Sequence, residues 1–219
     1  QGVDKKGNQM SDEEFEKFLH KLSSEYGCWI KPVYVDLTSE EDLKKAFMLI
    51  KKENLPIDCL INNAGASYDA LLPMISKSKA MDLFQINFFA HMQLTQYVSR
   101  IMTRQKHGSI VFTGSYLGFD GNRGQMVYSA TKAAVHGMTK SLSKELMDSG
   151  IRVNAVAPGV VQTKLLQTMT ADEYKQAVNK SLMNRAADPE EIANMIMVLA
   201  SDLSSYVTGQ IVRVDGGMT

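Results

Sequence analysis

The chain has little of what marks several large classes of protein. Its 24 basic and 24 acidic residues leave a formal net charge of zero, and no long block of either sign occurs. Nucleic acid and a charged membrane surface are therefore not expected as main partners. The apolar runs are also much shorter than the roughly 20 residues that a membrane-spanning helix needs, so no membrane partner is predicted.

Cysteine is scarce and histidine is scattered. Cys28 and Cys59 are the only cysteines, and each stands beside apolar neighbours. This favours two buried, reduced thiols in a cytoplasmic protein over a disulfide. The four histidines do not have the spacing of metal ligands, so no metal site is predicted.

The sequence also lacks a turn that many dinucleotide-binding proteins carry. No Gly-x-x-x-Gly-x-Gly or Gly-x-Gly-x-x-Gly segment occurs between a strand pattern and a helix pattern. The spaced glycines Gly118, Gly121 and Gly124 follow a strand, but we interpret them as a loop beside a substrate and not as a turn that binds pyrophosphate. A pyrophosphate needs a helix N-terminus directly after the glycine turn.

What is present is an alternation of strand and helix patterns, which is typical of a parallel sheet with helices on both faces. A length of 219 residues predicts a single domain over residues 1–219. The predicted strands are Ile30–Asp36, Ile57–Asn62, Ser109–Thr113, Ile151–Ala157 and Ile211–Val214. The predicted helices are Ser11–Tyr26, Ser39–Lys52, about Lys79–Arg104, Tyr128–Met147 and a helical flap over a site at Leu165–Arg185.

The most informative pattern is the pair Tyr128 and Lys132, which follows Ser115 by thirteen residues. On a helix, positions i and i+4 lie on one face, so the phenol and the ammonium can share a site. A nearby ammonium is expected to lower the pKa of the phenol from about 10, and Ser115 would add a second hydroxyl donor. The set suits proton transfer to a carbonyl oxygen. The alternative is an ordinary pair of surface neighbours.

Four further motifs accompany this pair. They are Asn62-Asn63-Ala64-Gly65, Asn87 on a helix, Pro158-Gly159 with Val161 and Thr163, and Asp215-Gly216-Gly217. With these motifs in this order, the chain resembles the short-chain dehydrogenase/reductase family from Asp36 to the C-terminus. Within that family it is most similar to the 3-oxoacyl-[acyl-carrier-protein] reductases, through residues 121–125, 154–159, 189–193 and 199–202.

This resemblance implies a fold and an activity. The fold is a doubly wound parallel sheet of the Rossmann type. The activity is an NAD(P)H-dependent reduction of a carbonyl to an alcohol, with a 3-oxoacyl thioester as the expected substrate. Tyr128 would protonate the carbonyl oxygen, Lys132 would lower the pKa of Tyr128 and hold the nicotinamide ribose, and Ser115 would polarise the carbonyl. Asn87 would hold a water that links Lys132 to solvent; alternatively, it satisfies local helix backbone.

The resemblance also implies which residues bind the cofactor, with NADP favoured and NAD as the alternative. Asp36 and Leu37 would contact the adenosine, although Asp36 could instead cap the next helix. The residue that usually separates NADP from NAD ends a second strand that the sequence lacks. The other expected contacts are Asn63, Ala64, Gly65, Tyr128, Lys132, Pro158, Gly159, Val161 and Thr163.

The substrate is less closely defined by the residues. We expect an apolar entrance to the site, called the mouth below, formed by Tyr116, Leu117, Phe119, Leu165, Leu166 and Met169. Such a mouth would fit an acyl chain, and equally a steroid or a hydrophobic ketone. In the resembling reductases two basic residues dock an acyl carrier protein, and here Lys106 stands at one position while Ser149 replaces an expected Arg. A carrier protein is thus one candidate partner. The alternatives are a reductase of sugars, steroids or other secondary alcohols, and a non-catalytic nucleotide-binding scaffold.

Two expectations concern the size of the protein and its assembly. The family's first strand, first helix and second strand have no counterpart in the sequence, which would leave Ile30–Asp36 and the strand from Ile57 without neighbours. Unpaired backbone groups cost about 1–3 kcal/mol each, so the chain is expected to be an N-terminally truncated piece of a longer domain. The helices about Lys79–Arg104 and Tyr128–Met147 are apolar over more than one face, which predicts subunit contacts and, by the resemblance, a homotetramer.

Overall fold

Four parallel strands form the central sheet of the computed structural model, which describes residues 11–163 and 171–218. Within this described part the strands lie in the order β1-β2-β3-β4. They are β1 (Cys59–Asn62), β2 (Gly108–Thr113), β3 (Ile151–Pro158) and β4 (Ile211–Val214). Strands β2 and β3 are buried along most of their length, as expected for parallel strands covered on both faces.

The helices follow the predicted alternation. They are α1 (Asp12–Tyr26), α2 (Glu40–Lys52), α3 (Lys77–Phe84), α4 (Ala90–Gln105), α5 (Leu117–Asp120), α6 (Met126–Leu146), α7 (Ala171–Val178) and α8 (Pro189–Ala200). Helix α1 begins at Ser11 with the predicted capping box to Glu14, and Ser39 caps α2. None of the helices in residues 11–163 and 171–218 has the length and apolarity to cross a bilayer.

Two apolar clusters attach helices to opposite faces of the sheet. On one face, Val98 and Met102 of α4 and Val135 of α6 pack against Phe112 and the strand residues around it. On the other face, Ile192, Ile196 and Leu199 of α8 pack against Val111 and Val156. The predicted doubly wound arrangement is therefore confirmed for this part of the fold.

A buried arginine fixes the end of α8 against the sheet. Arg152 of β3 donates hydrogen bonds to the carbonyl oxygens of Leu199 (3.0 Å) and Ser201 (3.0 Å) and to Ser204 Oγ (2.8 Å). The last carbonyl groups of a helix lack partners within the helix and carry partial negative charge, so a guanidinium suits this position.

The prediction of a strand at Ile30–Asp36 is wrong in the described structure. The segment is not part of the sheet. It lies instead beside the first two helices, where the ring of Tyr34 contacts Phe15 at 6.5 Å between centroids and Lys31 pairs with Glu53, the residue directly after α2. A strand requires a neighbouring backbone ladder, and none of the described residues supplies one here.

Smaller corrections also have local causes. Strand β1 begins at Cys59 rather than Ile57, because the Gln105 side chain binds both the amide and the carbonyl of Ile57, each at 3.0 Å. The helix predicted at about Lys79–Arg104 contains a π-helical turn, Gln85–Phe89, between α3 and α4. The flap is helical only over α7 within the described residues, and Leu165, Leu166 and Met169 lie outside them. Cys28 is an exposed free thiol, not a buried one.

Candidate active site

The predicted catalytic side chains lie together near the carboxyl ends of the strands. Ser115 follows β2 by two residues, and Tyr128 and Lys132 occupy the first two turns of α6. The Ser115 side chain makes a hydrogen bond with the Tyr128 phenol. The backbone N–H of Tyr116 donates to Pro158 O at 3.0 Å, which holds this segment against the end of β3. In an open parallel sheet, this edge is where ligands bind.

The pKa of the Tyr128 phenol is raised, whereas the sequence predicted that it would be lowered. Burial raises its pKa above the ordinary 10, the hydrogen bond from Ser115 lowers it, and the negative charge of Asp69 raises it further. The ammonium of Lys132 lies 5.7 Å from the centre of the phenol ring and donates its hydrogen bond to Thr113 O at 2.8 Å. The expectation that Lys132 lowers the pKa was wrong, since the ammonium is directed to the end of β2.

Lys132 is the most buried cation of this site. Its side chain is 3% exposed, and desolvation lowers its pKa from 10.5 to about 8. Two buried histidines, His91 and His136, lie near enough to Lys132 for its charge to lower their pKa values. Burial, with Lys132 adding to the effect, lowers the pKa of each histidine to about 4, so both are neutral at physiological pH.

Asn87 lies in the π-helical turn and is fully buried. Its side-chain oxygen accepts from Ala66 N at 2.9 Å, and its amide nitrogen donates to Ala66 O and to Thr131 Oγ1, each at 3.0 Å. Asn87 thus joins α6 to the loop after β1. A π-helical turn inserts one residue into a helix and is frequent at functional sites, and no pattern in the sequence indicated it.

The expected cofactor-binding residues after β1 form an exposed backbone surface next to Lys132. Asn63 Oδ1 accepts from Thr113 Oγ1 at 2.9 Å, which ties this loop to β2. A Cβ atom added to Gly65 would lie 3.4 Å from Asn87 Oδ1 and 3.5 Å from Lys132 Nζ. The backbone at Asn63, Ala64 and Gly65 is therefore open on one side and close to the catalytic side chains on the other, which fits a ribose of a dinucleotide.

The remaining predicted contacts are distributed around this edge. Leu37 O accepts from Gln85 Nε2 at 3.3 Å, which brings the loop of Asp36 to the π-helical turn. Asp36 does not cap α2; its carboxylate accepts from the amide and hydroxyl of Thr38, which lowers its pKa. Pro158 ends β3, Gly159 N donates to Val214 O, Val161 pairs with Ala187, and Thr163 is exposed.

The substrate-side predictions are only partly met. Leu117 is buried in the core and does not line a mouth, while Phe119 packs against His136 with the rings tilted by 37° and their centroids 4.4 Å apart. Tyr116 is half-buried and lies near enough to Tyr128 for the two phenols to interact electrostatically. Lys106 and Ser149 precede β2 and β3, at the opposite edge of the sheet from Tyr128. A six-residue strand spans about 20 Å, so these two residues lie far from the phenol of the same subunit.

Sequence reasoning missed a second link between loops at this site. Asp69 Oδ1 accepts a hydrogen bond from Gln125 Nε2 at 3.1 Å, and Ala70 N donates to Gly124 O at 2.8 Å. These bonds join the loop after β1 to the residues that precede Tyr128. No spacing rule connects positions 56 residues apart, so only the folded structure reveals the pair.

The fold and the site define an oxidoreductase of the Rossmann type that uses a nicotinamide cofactor. A family model described as "Enoyl-(Acyl carrier protein) reductase" matches residues 2–219. The 3-oxoacyl-[acyl-carrier-protein] reductase FabG of Aquifex aeolicus is 38% identical over 95% of this chain and 84% of its own length. Carbonyl reductase family member 4 of Xenopus laevis is 39% identical over 84% of this chain and 75% of its own length.

A crystal structure of the 3-oxoacyl-[acyl-carrier protein] reductase from Brucella melitensis superposes with a TM-score of 0.87. It is 27% identical and covers 96% of this chain, which in turn covers 80% of that one. The chain belongs to the short-chain dehydrogenase/reductase family. The predicted family, fold class and oxidoreductase activity are thereby confirmed, while the roles of individual site residues stay predictions.

Proposed function

We propose that the protein reduces a 3-oxoacyl thioester to the 3-hydroxyacyl thioester with NADPH. The observation that carries this proposal is that Ser115, Tyr128 and Lys132 lie together at the carboxyl ends of the strands, with the Lys132 ammonium 5.7 Å from the centre of the Tyr128 ring. The phenol is protonated at neutral pH, and carbonyl reduction needs a proton donor at the carbonyl oxygen. The names of the relatives supply the thioester and the carrier protein as the expected substrate class.

In the proposed mechanism each side chain has one task. Ser115 and Tyr128 donate hydrogen bonds to the carbonyl oxygen, and Tyr128 transfers its proton to that oxygen as negative charge develops. Lys132 donates to Thr113 O and has donors left that would hold ribose hydroxyls of the cofactor. A nicotinamide held by Lys132 and the loop after β1 would supply the hydride for the carbonyl carbon. Asn87 holds Ala66 and Thr131 in place, so that the loop after β1 and α6 keep their separation.

We further propose that a strand pairs with the free edge of β1 in the working domain, with the phosphate-binding turn next to it. Ile61 of β1 is 45% exposed, and the outer edge of this strand has no partner in the portion of the chain described. Both faces of a parallel sheet are normally covered, so an exposed Ile61 on β1 indicates that this side of the sheet lacks a neighbouring element among the described residues.

Assembly into a homotetramer and a cytoplasmic location are proposed on surface features. Met81 of α3, Phe89 of the π-helical turn and Met126 of α6 are 62%, 45% and 50% exposed. Met126 also lines an apolar groove of about 410 Å³, together with Leu72, Ile75, Lys77, Ala80, Phe84, Val127 and Ala130. A surface of this kind suits an isologous contact with a second copy. The two free thiols suit a reducing compartment.

The test is turnover of a 3-oxoacyl thioester, measured as loss of NADPH absorbance in the protein and in Tyr128→Phe. We expect Tyr128→Phe to be at least about 100-fold slower, the usual scale for a general acid. Tyr206→Phe, which removes a hydroxyl from a fully exposed ring, is the matched control and should match wild type. Near-normal turnover in Tyr128→Phe would contradict the mechanism.

Substrate choice separates the proposed function from its rival. The carbonyl reductase among the relatives makes a simple hydrophobic ketone the competing substrate. Three substrates should therefore be compared at equal concentration: a 3-oxoacyl thioester on a carrier protein, the same thioester on a short pantetheine arm, and a plain hydrophobic ketone. Preference for the carrier thioester supports the proposal, whereas preference for the ketone favours a general carbonyl reductase.

A further inference from the structure

Asp69 lies at the point where two loops of the site meet. Its carboxylate accepts a hydrogen bond from Gln125 Nε2 at 3.1 Å, and the oxygen of the same Gln125 amide accepts from Asn122 Nδ2 at 2.9 Å. Next to it, Ala70 N donates to Gly124 O at 2.8 Å. The loop after β1 is therefore joined to the residues before α6 by one side-chain bond and one backbone bond.

Gln125 is also the N-cap residue of α6, and Tyr128 is the third residue of that helix. The Gln125 side chain makes no cap bond to the helix, and no acidic residue lies in the first turn. Since the N-terminus of a helix carries partial positive charge, an anion supplied from a neighbouring loop suits it. Asp69 is the carboxylate that the fold brings there.

We propose that Asp69 is a positioning residue of this site, which fixes the start of α6 through Gln125 and places a negative charge beside the Tyr128 phenol. This proposal rests on the proposed function only in taking Tyr128 as the proton donor. The charge favours the protonated phenol over the phenolate. It also works against phenolate formation, and hence against oxidation of an alcohol at neutral pH.

Other groups face the phenol as well, and each remains constant in the test. Ser115 and Tyr116 approach from the segment after β2, and Lys132 lies one turn along the same helix. Asp120 and Asp215 lie near Tyr116 rather than Tyr128. Asp69 is the one carboxylate of the described residues whose charge affects the pKa of Tyr128.

The test replaces the charge and the hydrogen bond separately. Asp69→Asn keeps an oxygen that can accept from Gln125 and removes only the charge, while Gln125→Leu removes the bond and keeps the charge. Asp148→Asn, at an exposed carboxylate beside the amino end of β3, is the matched control. The first measurement is the pH dependence of alcohol oxidation with NADP.

We expect the alkaline limb of oxidation to move to lower pH by about half a unit or more in Asp69→Asn, which means about threefold faster oxidation on the limb. Gln125→Leu should lower kcat without moving the limb, and Asp69→Glu should restore the wild-type position. The displacement should shrink in about 1 M salt, where the Debye length falls to about 3 Å. An unmoved limb in Asp69→Asn, or an equal displacement in Gln125→Leu, would overturn the proposal.

A second readout does not depend on turnover. Ultraviolet titration of phenolate, taken as the difference between a protein with Tyr128 and its Tyr128→Phe counterpart, follows the ionisation of Tyr128 together with any change that its loss causes at the neighbouring Tyr116. Asp69→Asn should ionise at lower pH than wild type in this difference titration. If no substrate is reduced, the proposed function fails while this titration still decides the role of Asp69.

Discussion

Replacing Lys132 by methionine is expected to stabilise the folded protein while it removes reductase activity. Burial lowers the pKa of this ammonium from 10.5 to about 8. Each pKa unit corresponds to about 1.4 kcal/mol, so keeping the charge in this place costs the fold about 3 kcal/mol at neutral pH. Methionine has a similar shape without the charge, but it leaves Thr113 O without its hydrogen bond, a loss of about 1–2 kcal/mol. The free energy of unfolding at pH 7 should therefore rise by about 1–2 kcal/mol.

The pH dependence gives this prediction its sign. Between pH 8 and 10.5 the unfolded chain still binds the lysine proton while the folded chain has released it. Stability of the wild type therefore rises through this window relative to Lys132→Met. The advantage of the variant should be fully present below pH 8 and should fall by about 3 kcal/mol by pH 10.5.

Urea denaturation followed by circular dichroism, at several pH values from 7 to about 10.5, measures this difference directly. Lys140→Met, at an exposed position on the same helix, is the matched control and should show no such pH dependence. The reasoning would be refuted if Lys132→Met were less stable than wild type at pH 7 and the difference in the free energy of unfolding did not change with pH. Lys132 would then not be a desolvated ammonium with a lowered pKa.

Two further predictions concern stability and assembly. Arg152→Ala removes three hydrogen bonds that a buried guanidinium donates to the end of α8, and it should lower the free energy of unfolding by at least about 3 kcal/mol. The exposed control Arg100→Ala should lower it by less than about 0.5 kcal/mol, and equal urea midpoints would contradict the prediction. Light scattering of the protein at micromolar concentration should give the mass of a tetramer, and Met81→Glu with Phe89→Glu should lower that mass; a wild-type monomer would exclude the proposed contact.

The strands of the core could be predicted because their apolar runs are an intrinsic property of the sequence. Ile151–Ala157 is buried on both faces in the structure, and its pattern already indicated this. Ile30–Asp36 has a similar pattern, yet it forms no strand, because strand formation also needs a partner that the pattern does not contain. Periodicity therefore predicted burial better than it predicted pairing.

The electrostatics of the site could not be predicted from spacing. The i, i+4 relation placed Tyr128 and Lys132 on one helix face, but it did not show where the ammonium is directed. Lys132 donates to Thr113 O, and burial with the nearby Asp69 raises the pKa of Tyr128. Both effects come from segments more than fifteen residues away in the chain, so they depend on the tertiary fold.

The extra residue of the π-helical turn has a consequence for how this protein can change in length. Deleting one residue from Gln85–Phe89 would let α3 and α4 join as one regular α-helix, with every backbone hydrogen bond intact. However, each residue of an α-helix turns by about 100°, so the deletion would rotate Val98 and Met102 away from the sheet. Backbone hydrogen bonding in the helix would thus favour a chain with one residue fewer. Packing of the core and the contacts of Asn87 favour the chain that keeps the extra residue.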